Sequence, residues 1–94
     1  MADVLTKEQA EEKLIDLDEW EISGKAITKT FEFDGFDQAM DFVNHVAAAA
    51  EEHDHHPDID IRYGTVKLSL SSHSAGGLTE IDFTLAAEID EIPE

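Results

Sequence analysis

The sequence predicts one α+β domain of αββαββα order, in which a four-stranded antiparallel sheet carries its helices on one face. One long and two short segments repeat apolar residues every three or four positions, as helices do. Four short segments instead alternate apolar with polar residues, which is typical of strands. The length of 94 residues suits a single domain that spans residues 1–94.

The first helix is predicted from about Lys7 to Leu14, because the four residues that begin at Thr6 have the form of a capping box. A hairpin of two short strands follows, with residues 20–23 in the first strand and Gly24-Lys25 able to form the turn. The second strand carries Lys29 in an otherwise apolar face that consists of Ile27, Phe31 and Phe33.

The longest helix is predicted from Phe36 to His53, with Asp34 as a plausible cap at its start. Pro57 cannot continue a helix and also disfavours helical angles at the residue before it, so the helix must end upstream. Its predicted apolar stripe consists of Phe36, Ala39, Met40, Val43, Val46, Ala47 and Ala50.

Two more strands and a last helix complete the predicted order. In the third strand Ile59, Ile61 and Tyr63 alternate with charged residues, and Gly64-Thr65 supplies the turn. The fourth strand ends near His73 and has Val66, Leu68 and Leu70 on its apolar face. The last helix is predicted to start after Thr79, with Asp82 in a capping box, and to end before Pro93. Leu85 and Ile89 lie on one face of it and would favour association of dimers if they were exposed.

Acidic residues dominate the composition, with 23 Asp and Glu against 6 Lys and Arg and a net charge of −17. Such a surface repels nucleic acid and anionic membranes, so neither is an expected partner. The acids are spread along the whole chain, as in a solvated surface adapted to high salt, where screening (Debye length roughly 3 Å at 1 M) removes self-repulsion.

The chain has no cysteine, which excludes disulfides and thiolate zinc sites. Residues 1–7 lack the apolar core of a signal peptide, and no apolar run approaches the roughly 18 residues of a membrane helix. The sequence therefore predicts a soluble protein of the cytoplasm.

Three of the five histidines lie within residues 51–58, where the long helix gives way to a strand. Imidazole gives and takes protons near neutral pH, so this cluster is the first place to expect acid–base chemistry. Helical spacing places Glu51 and His55 on one face, with the carboxylate able to hold the imidazole in one tautomer. His73 joins them if the fourth strand ends near the exit of the helix.

Each histidine also has a simpler interpretation. A histidine at a helix C-terminus complements the negative end of the dipole, which suffices for His53 or His55 alone. His45 is expected on the solvated surface, and Tyr63 is expected to pack. Zinc or nickel could bind His53, His55 and His56, but their spacing differs from the helical zinc motif, so no native metal is expected.

The spacing of several separated residues resembles the signature of the pterin-4a-carbinolamine dehydratases. The matching residues are Glu51-x-x-x-His55-His56-Pro57, Tyr63, His73 and Asp82, with further agreement at Trp20, Phe31, Phe33, Phe36, Ala39, Phe42 and Gly77-Leu78-Thr79. The resemblance covers nearly the whole chain, from about Leu5 to Ile89.

This resemblance implies dehydration of 4a-hydroxytetrahydrobiopterin to quinonoid dihydrobiopterin, without metal or organic cofactor, by a homodimer or homotetramer. It implies that His55, His56 and His73 are catalytic, with Glu51 and Asp82 in support. Substrate contacts are expected from Ser72 and from Ile59, which stands where the family often has an aromatic residue.

Two other functions fit the same resemblance. Some relatives act as a dimerisation cofactor for a transcription factor, which makes a protein-interaction module the main alternative. Others are linked to the pterin of the molybdenum cofactor, which would keep the chemistry and change the substrate.

Overall fold

A computed structural model of the chain describes residues 3–93. Within that range the element order is αββαββα, as predicted. Predictions that extend to Met1, Ala2 or Glu94, such as the absence of a signal peptide, lie partly outside the described residues. The elements are α1 (Lys7–Leu14), β1 (Glu21–Ser23), β2 (Ala26–Glu32), α2 (Phe36–His53), β3 (Asp58–Arg62), β4 (Thr65–Leu70) and α3 (Glu80–Asp90).

The four strands form one sheet of order β1-β2-β4-β3, and every neighbouring pair is antiparallel. Val66 of β4 lies opposite Phe31 of β2 on one side and Ile61 of β3 on the other, so these three side chains share a face. The apolar residues of β4 are fully buried on that face, whereas the other face is polar. The predicted α+β fold with helices on one side is confirmed.

Helix α2 covers the apolar face of the sheet, but its buried stripe is rotated from the predicted one. Phe36 is half exposed and Ala47 is exposed, whereas Phe42 and Ala49 are buried. Because Phe42 stacks near both Phe31 and Phe33, with ring centroids 4.6 and 5.1 Å apart, the rings of β2 decide which side of α2 faces inward.

Lys29 projects into the apolar face, as the sequence predicted, and Asp90 of α3 compensates its charge. The Lys29 Nζ donates to Asp90 Oδ1 at 2.9 Å, and the indole N–H of Trp20 donates to the same carboxylate at 3.0 Å. This arrangement ties α3 to β2 and to the segment before β1. A lysine in this position is tolerated because its ammonium group is paired.

Two local predictions are wrong, and the exposure on which a third expectation depended is not found. Gly35, and not Asp34, is the N-cap of α2, and it provides no side-chain cap. Tyr63 does not continue the strand alternation, because it takes a left-handed conformation (φ 53°) in the β3–β4 turn and is 72% exposed. Leu85 and Ile89 are fully buried in the core, so they offer no surface for association.

Leu85 and Ile89 belong to the hydrophobic core, so the face of α3 that carries them is turned inward.

Among residues 3–93, no helix combines the length and apolar character needed to cross a bilayer.

Candidate active site

The end of α2 positions His55 through its backbone. Asp54 adopts a left-handed conformation (φ 49°, ψ 44°), which asparagine and aspartate tolerate better than most residues. The backbone N–H of His55 then donates to the carbonyl of Ala50 at 3.0 Å, and that of Asp54 to the carbonyl of Glu51 at 3.3 Å. This pair of bonds is a Schellman motif, and it turns the chain sharply before Pro57.

The imidazole of His55 is held by Asp82. Its Nε2 lies 2.5 Å from Oδ1 of Asp82, which belongs to the first turn of α3. The Asp82 side chain is fully buried and that of His55 is 16% exposed. Because Asp82 engages Nε2, Nδ1 is the ring nitrogen of His55 that this pair leaves available.

Asp82 is fixed in turn by neighbours on both sides. Its Oδ2 accepts from the Ser72 hydroxyl at 2.9 Å and from the Thr79 backbone N–H at 2.9 Å. Asp82 is therefore both a helix cap and a neighbour of the site. Its Oδ2 caps the start of α3, and its Oδ1 contacts His55. A buried carboxylate with three donors is well compensated.

Glu51 pairs with His56 and not with His55, which corrects the prediction from helical spacing. Oε2 of Glu51 lies 2.5 Å from Nε2 of His56, and both side chains are largely exposed. The physical reason is that α2 ends at His53, so His55 has left the helical path on which Glu51 would have met it.

His55, His56 and His73 line one cavity of about 610 Å³. His73 belongs to the loop after β4, and its Nε2 lies 3.4 Å from the Ser71 hydroxyl. A cavity of this size suits a small organic molecule. The other lining residues are Asp54, Ser71, Ser72, Ser74, Ala75, Thr79 and Ile81.

Some residues singled out in the sequence lie elsewhere. Ile59 is on β3 and does not line this cavity, and neither does Tyr63. His53 lies 3.3 Å from Glu88 of α3, and His45 bonds to the carbonyl of Asp41 on exposed α2 surface. Among the described residues, no group of three or more histidines, aspartates and glutamates is arranged to hold a metal ion.

Sequence reasoning missed Ser71, Ser74, Ala75 and Ile81 as lining residues. Ser71 and Ala75 flank His73 in sequence, so proximity to that histidine was an available signal. Ile81 gave none, because an apolar residue in the first turn of a helix resembles a core position.

The chemistry available here is proton transfer. Three imidazoles surround one cavity, and one of them is oriented by a buried carboxylate, as in other acid–base sites. Donor and acceptor nitrogens near neutral pH can protonate a leaving oxygen and remove a proton from a neighbouring atom.

Several known proteins are similar to this chain. A curated relative from Roseiflexus castenholzii, described as a "Putative pterin-4-alpha-carbinolamine dehydratase", is 54% identical over 92 residues, which is 98% of this chain and 99% of that protein. A solved structure described as a transcriptional coactivator/pterin dehydratase from Brucella melitensis superposes with a TM-score of 0.89 at 37% identity. That alignment covers 94% of this chain and 96% of the other.

A second solved structure is described as a pterin dehydratase-like protein that is a RuBisCO assembly factor in the alpha-carboxysome. It has a TM-score of 0.66 and 29% identity, and covers 78% of this chain and 87% of its own. The family model described as pterin 4 alpha carbinolamine dehydratase matches residues 3–92. The chain therefore belongs to the pterin-4a-carbinolamine dehydratase family.

Proposed function

We propose that this protein dehydrates 4a-hydroxytetrahydrobiopterin to quinonoid dihydrobiopterin in the cytoplasm, as part of pterin recycling. The observation that carries the proposal is the meeting of His55, His56 and His73 at one cavity, with His55 fixed on buried Asp82. These residues are distant in sequence, and a purely structural role would not require them to share a cavity.

The reaction breaks the C4a–O bond and forms a C4a=N5 double bond. One group protonates the hydroxyl as it leaves, so that it departs as water. A second group takes the proton from N5, whose electrons form the new bond. No electrons are gained or lost overall, so the step balances with two proton transfers and needs no oxidant, reductant or metal.

We assign these two transfers to His55 and His73, and substrate orientation to His56. His55 is the best oriented of the three, because the fully buried Asp82 fixes its Nε2. His73 lies in the loop after β4 and lines the same cavity. Each well-placed acid or base contributes typically about 10²–10⁴-fold to the rate.

We further propose that the protein works as a homodimer or homotetramer. β3 is an edge strand, and Ile59 on it and Tyr63 just after it are exposed. An unpaired edge with exposed apolar side chains favours pairing with another copy. Light scattering on the purified protein measures the assembly, and a monomer at micromolar concentration would contradict it.

The main alternative is a role as an interaction or assembly module, which the descriptions of the two solved neighbours suggest for those proteins. Such a role does not depend on imidazole chemistry. The other alternative, a molybdopterin-type substrate, uses the same residues and is separated only by offering both pterins to the enzyme.

Stopped-flow measurement of dehydration tests the proposal. We expect wild-type activity to persist in EDTA and to fall by about 10²-fold or more in His55→Ala and His73→Ala. His45→Ala is the matched control, because this exposed histidine of α2 lies outside the cavity. Wild-type rates in both cavity variants would contradict the proposed chemistry and favour the interaction module.

A further inference from the structure

We propose that Ser72 is a positioning residue that sets the proton-bearing nitrogen of His55, and that it does not contact the substrate. This inference rests on the proposed dehydratase function, which supplies the reason why the His55 tautomer matters. It revises the expectation that Ser72 binds the pterin.

The number of protons on each group fixes the direction of these hydrogen bonds. The Ser72 hydroxyl has one proton, and it lies 2.9 Å from Asp82 Oδ2 and 2.7 Å from the Thr79 hydroxyl. A carboxylate has no proton to give, so Ser72 must donate to Asp82. The Thr79 hydroxyl must then donate to the Ser72 oxygen. The chain of donation runs from Thr79 through Ser72 to Asp82.

The same count of donors and acceptors shows which nitrogen of His55 carries a proton. Oδ2 of Asp82 already accepts two donors, the Ser72 hydroxyl and the Thr79 backbone N–H. This arrangement leaves Oδ1 as the acceptor for His55, whose Nε2 must therefore carry a proton. Nδ1 of a neutral His55 is consequently the basic nitrogen of this cavity-lining residue. Ser72 thus helps to hold the Asp82 carboxylate whose other oxygen selects the proton-bearing nitrogen of His55.

The position of Ser72 suits this role better than substrate contact. Although Ser72 lines the cavity, it is only 5% exposed, and both neighbours of its hydroxyl lie inside the protein. Its backbone also holds the loop that carries His73, because its carbonyl accepts from the N–H of Gly76 at 2.9 Å and its N–H donates to the carbonyl of Gly77 at 3.0 Å. Ser72→Ala removes the hydroxyl and keeps these backbone bonds, so the side-chain role can be tested alone.

The test compares Ser72→Ala, Ser72→Thr and Ser69→Ala in the full chain. Ser69 is the matched control, since it lies on β4 just before this segment and its side chain projects from the face of the sheet opposite to that of Leu68 and Leu70. Two measurements are made. The first is kcat and KM for dehydration, and the second is the ¹⁵N NMR spectrum of the histidine rings in the ligand-free protein at a pH where they are neutral.

For Ser72→Ala we expect kcat to fall on the order of tenfold with KM within about twofold, and His55 to change from one tautomer to a mixture. Ser72→Thr keeps a hydroxyl and should restore both. If Ser72→Ala does not fold, Thr79→Val interrupts the same chain one step earlier and should act in the same direction. A raised KM with unchanged kcat would instead show substrate contact by Ser72.

An unchanged tautomer together with an unchanged kcat in Ser72→Ala would overturn the inference. The NMR measurement needs no substrate, so it separates the two proposals. If His55→Ala were fully active, the proposed function would fail, while the tautomer of His55 in Ser72→Ala would still report whether Ser72 positions that ring.

Discussion

Nε2 of His55 lies 2.5 Å from Oδ1 of Asp82, a residue 27 positions later in the chain. The pair joins the segment after α2 to the first turn of α3, and its histidine lines the cavity. Asp82 is fully buried, and all its donors come from Ser72, Thr79 and His55.

We therefore expect Asp82→Asn to impair both activity and stability. The new amide places an N–H₂ group where the carboxylate accepted, so at least one buried donor loses its partner at a cost of about 1–3 kcal/mol. Denaturant unfolding measures this loss, and stopped-flow kinetics should show a kcat reduced by about tenfold or more. Wild-type stability in Asp82→Asn would contradict the buried network.

Glu51→Gln should behave differently, because the Glu51–His56 pair is exposed to solvent. Exposed ion pairs contribute only about 0–1 kcal/mol, so the change in unfolding free energy should be within that range. We expect kcat to fall less than in Asp82→Asn, since the proposed mechanism assigns substrate orientation, and not the proton transfers, to His56. A larger loss of kcat in Glu51→Gln than in Asp82→Asn would assign the main role to His56.

Asp90 accepts from both Lys29 and Trp20, so its removal leaves two sheltered donors without a partner. We expect Asp90→Ala to lower the free energy of unfolding by about 2–4 kcal/mol. Asp60→Ala is the control, because its pair with Arg62 is exposed and should contribute at most about 1 kcal/mol. Equal effects of the two substitutions on urea unfolding would show that Lys29 does not depend on Asp90.

Gly64 and Gly35 should respond oppositely to a side chain. A Cβ at Gly64 would lie 2.4 Å from the carbonyl oxygen of Phe33, so Gly64→Ala must displace backbone. We expect Gly64→Ala to lower the free energy of unfolding by about 2 kcal/mol or more. At Gly35 there is open space, and α2 has no side-chain cap. Gly35→Ser should therefore raise the free energy of unfolding by roughly 0.3 kcal/mol. Thermal unfolding of both variants measures these shifts, and a destabilised Gly35→Ser would contradict the assigned N-cap.

The net charge of −17 predicts that salt stabilises the fold. Repulsion between the acids is screened when the Debye length falls from about 10 Å at 0.1 M to about 3 Å at 1 M salt. We expect the midpoint of thermal unfolding to rise over this range of KCl. An equal osmolality of sucrose is the control, and an equal rise in sucrose would show that screening is not the cause.

The order of elements, the bounds of α1 and α2 and the apolar face of β4 could be predicted from sequence, because period and capping are local properties. The histidines and Asp82 could also be singled out, because the family spacing is written in the chain. Their partners could not be predicted. Helical spacing predicts a contact between Glu51 and His55. The left-handed turn at Asp54 instead takes His55 off the helix, and its imidazole contacts Asp82.

What the sequence by itself determined is thus the set of elements and the residue types that could transfer protons. Only the tertiary structure decided which side of α2 faces the sheet, that Leu85 and Ile89 are buried, and that Ser72 bonds to Asp82. The physical reason is that capping and periodicity depend on residues within one or two turns of each other. Hydrogen bonds across 10 or 27 positions depend on how whole elements pack.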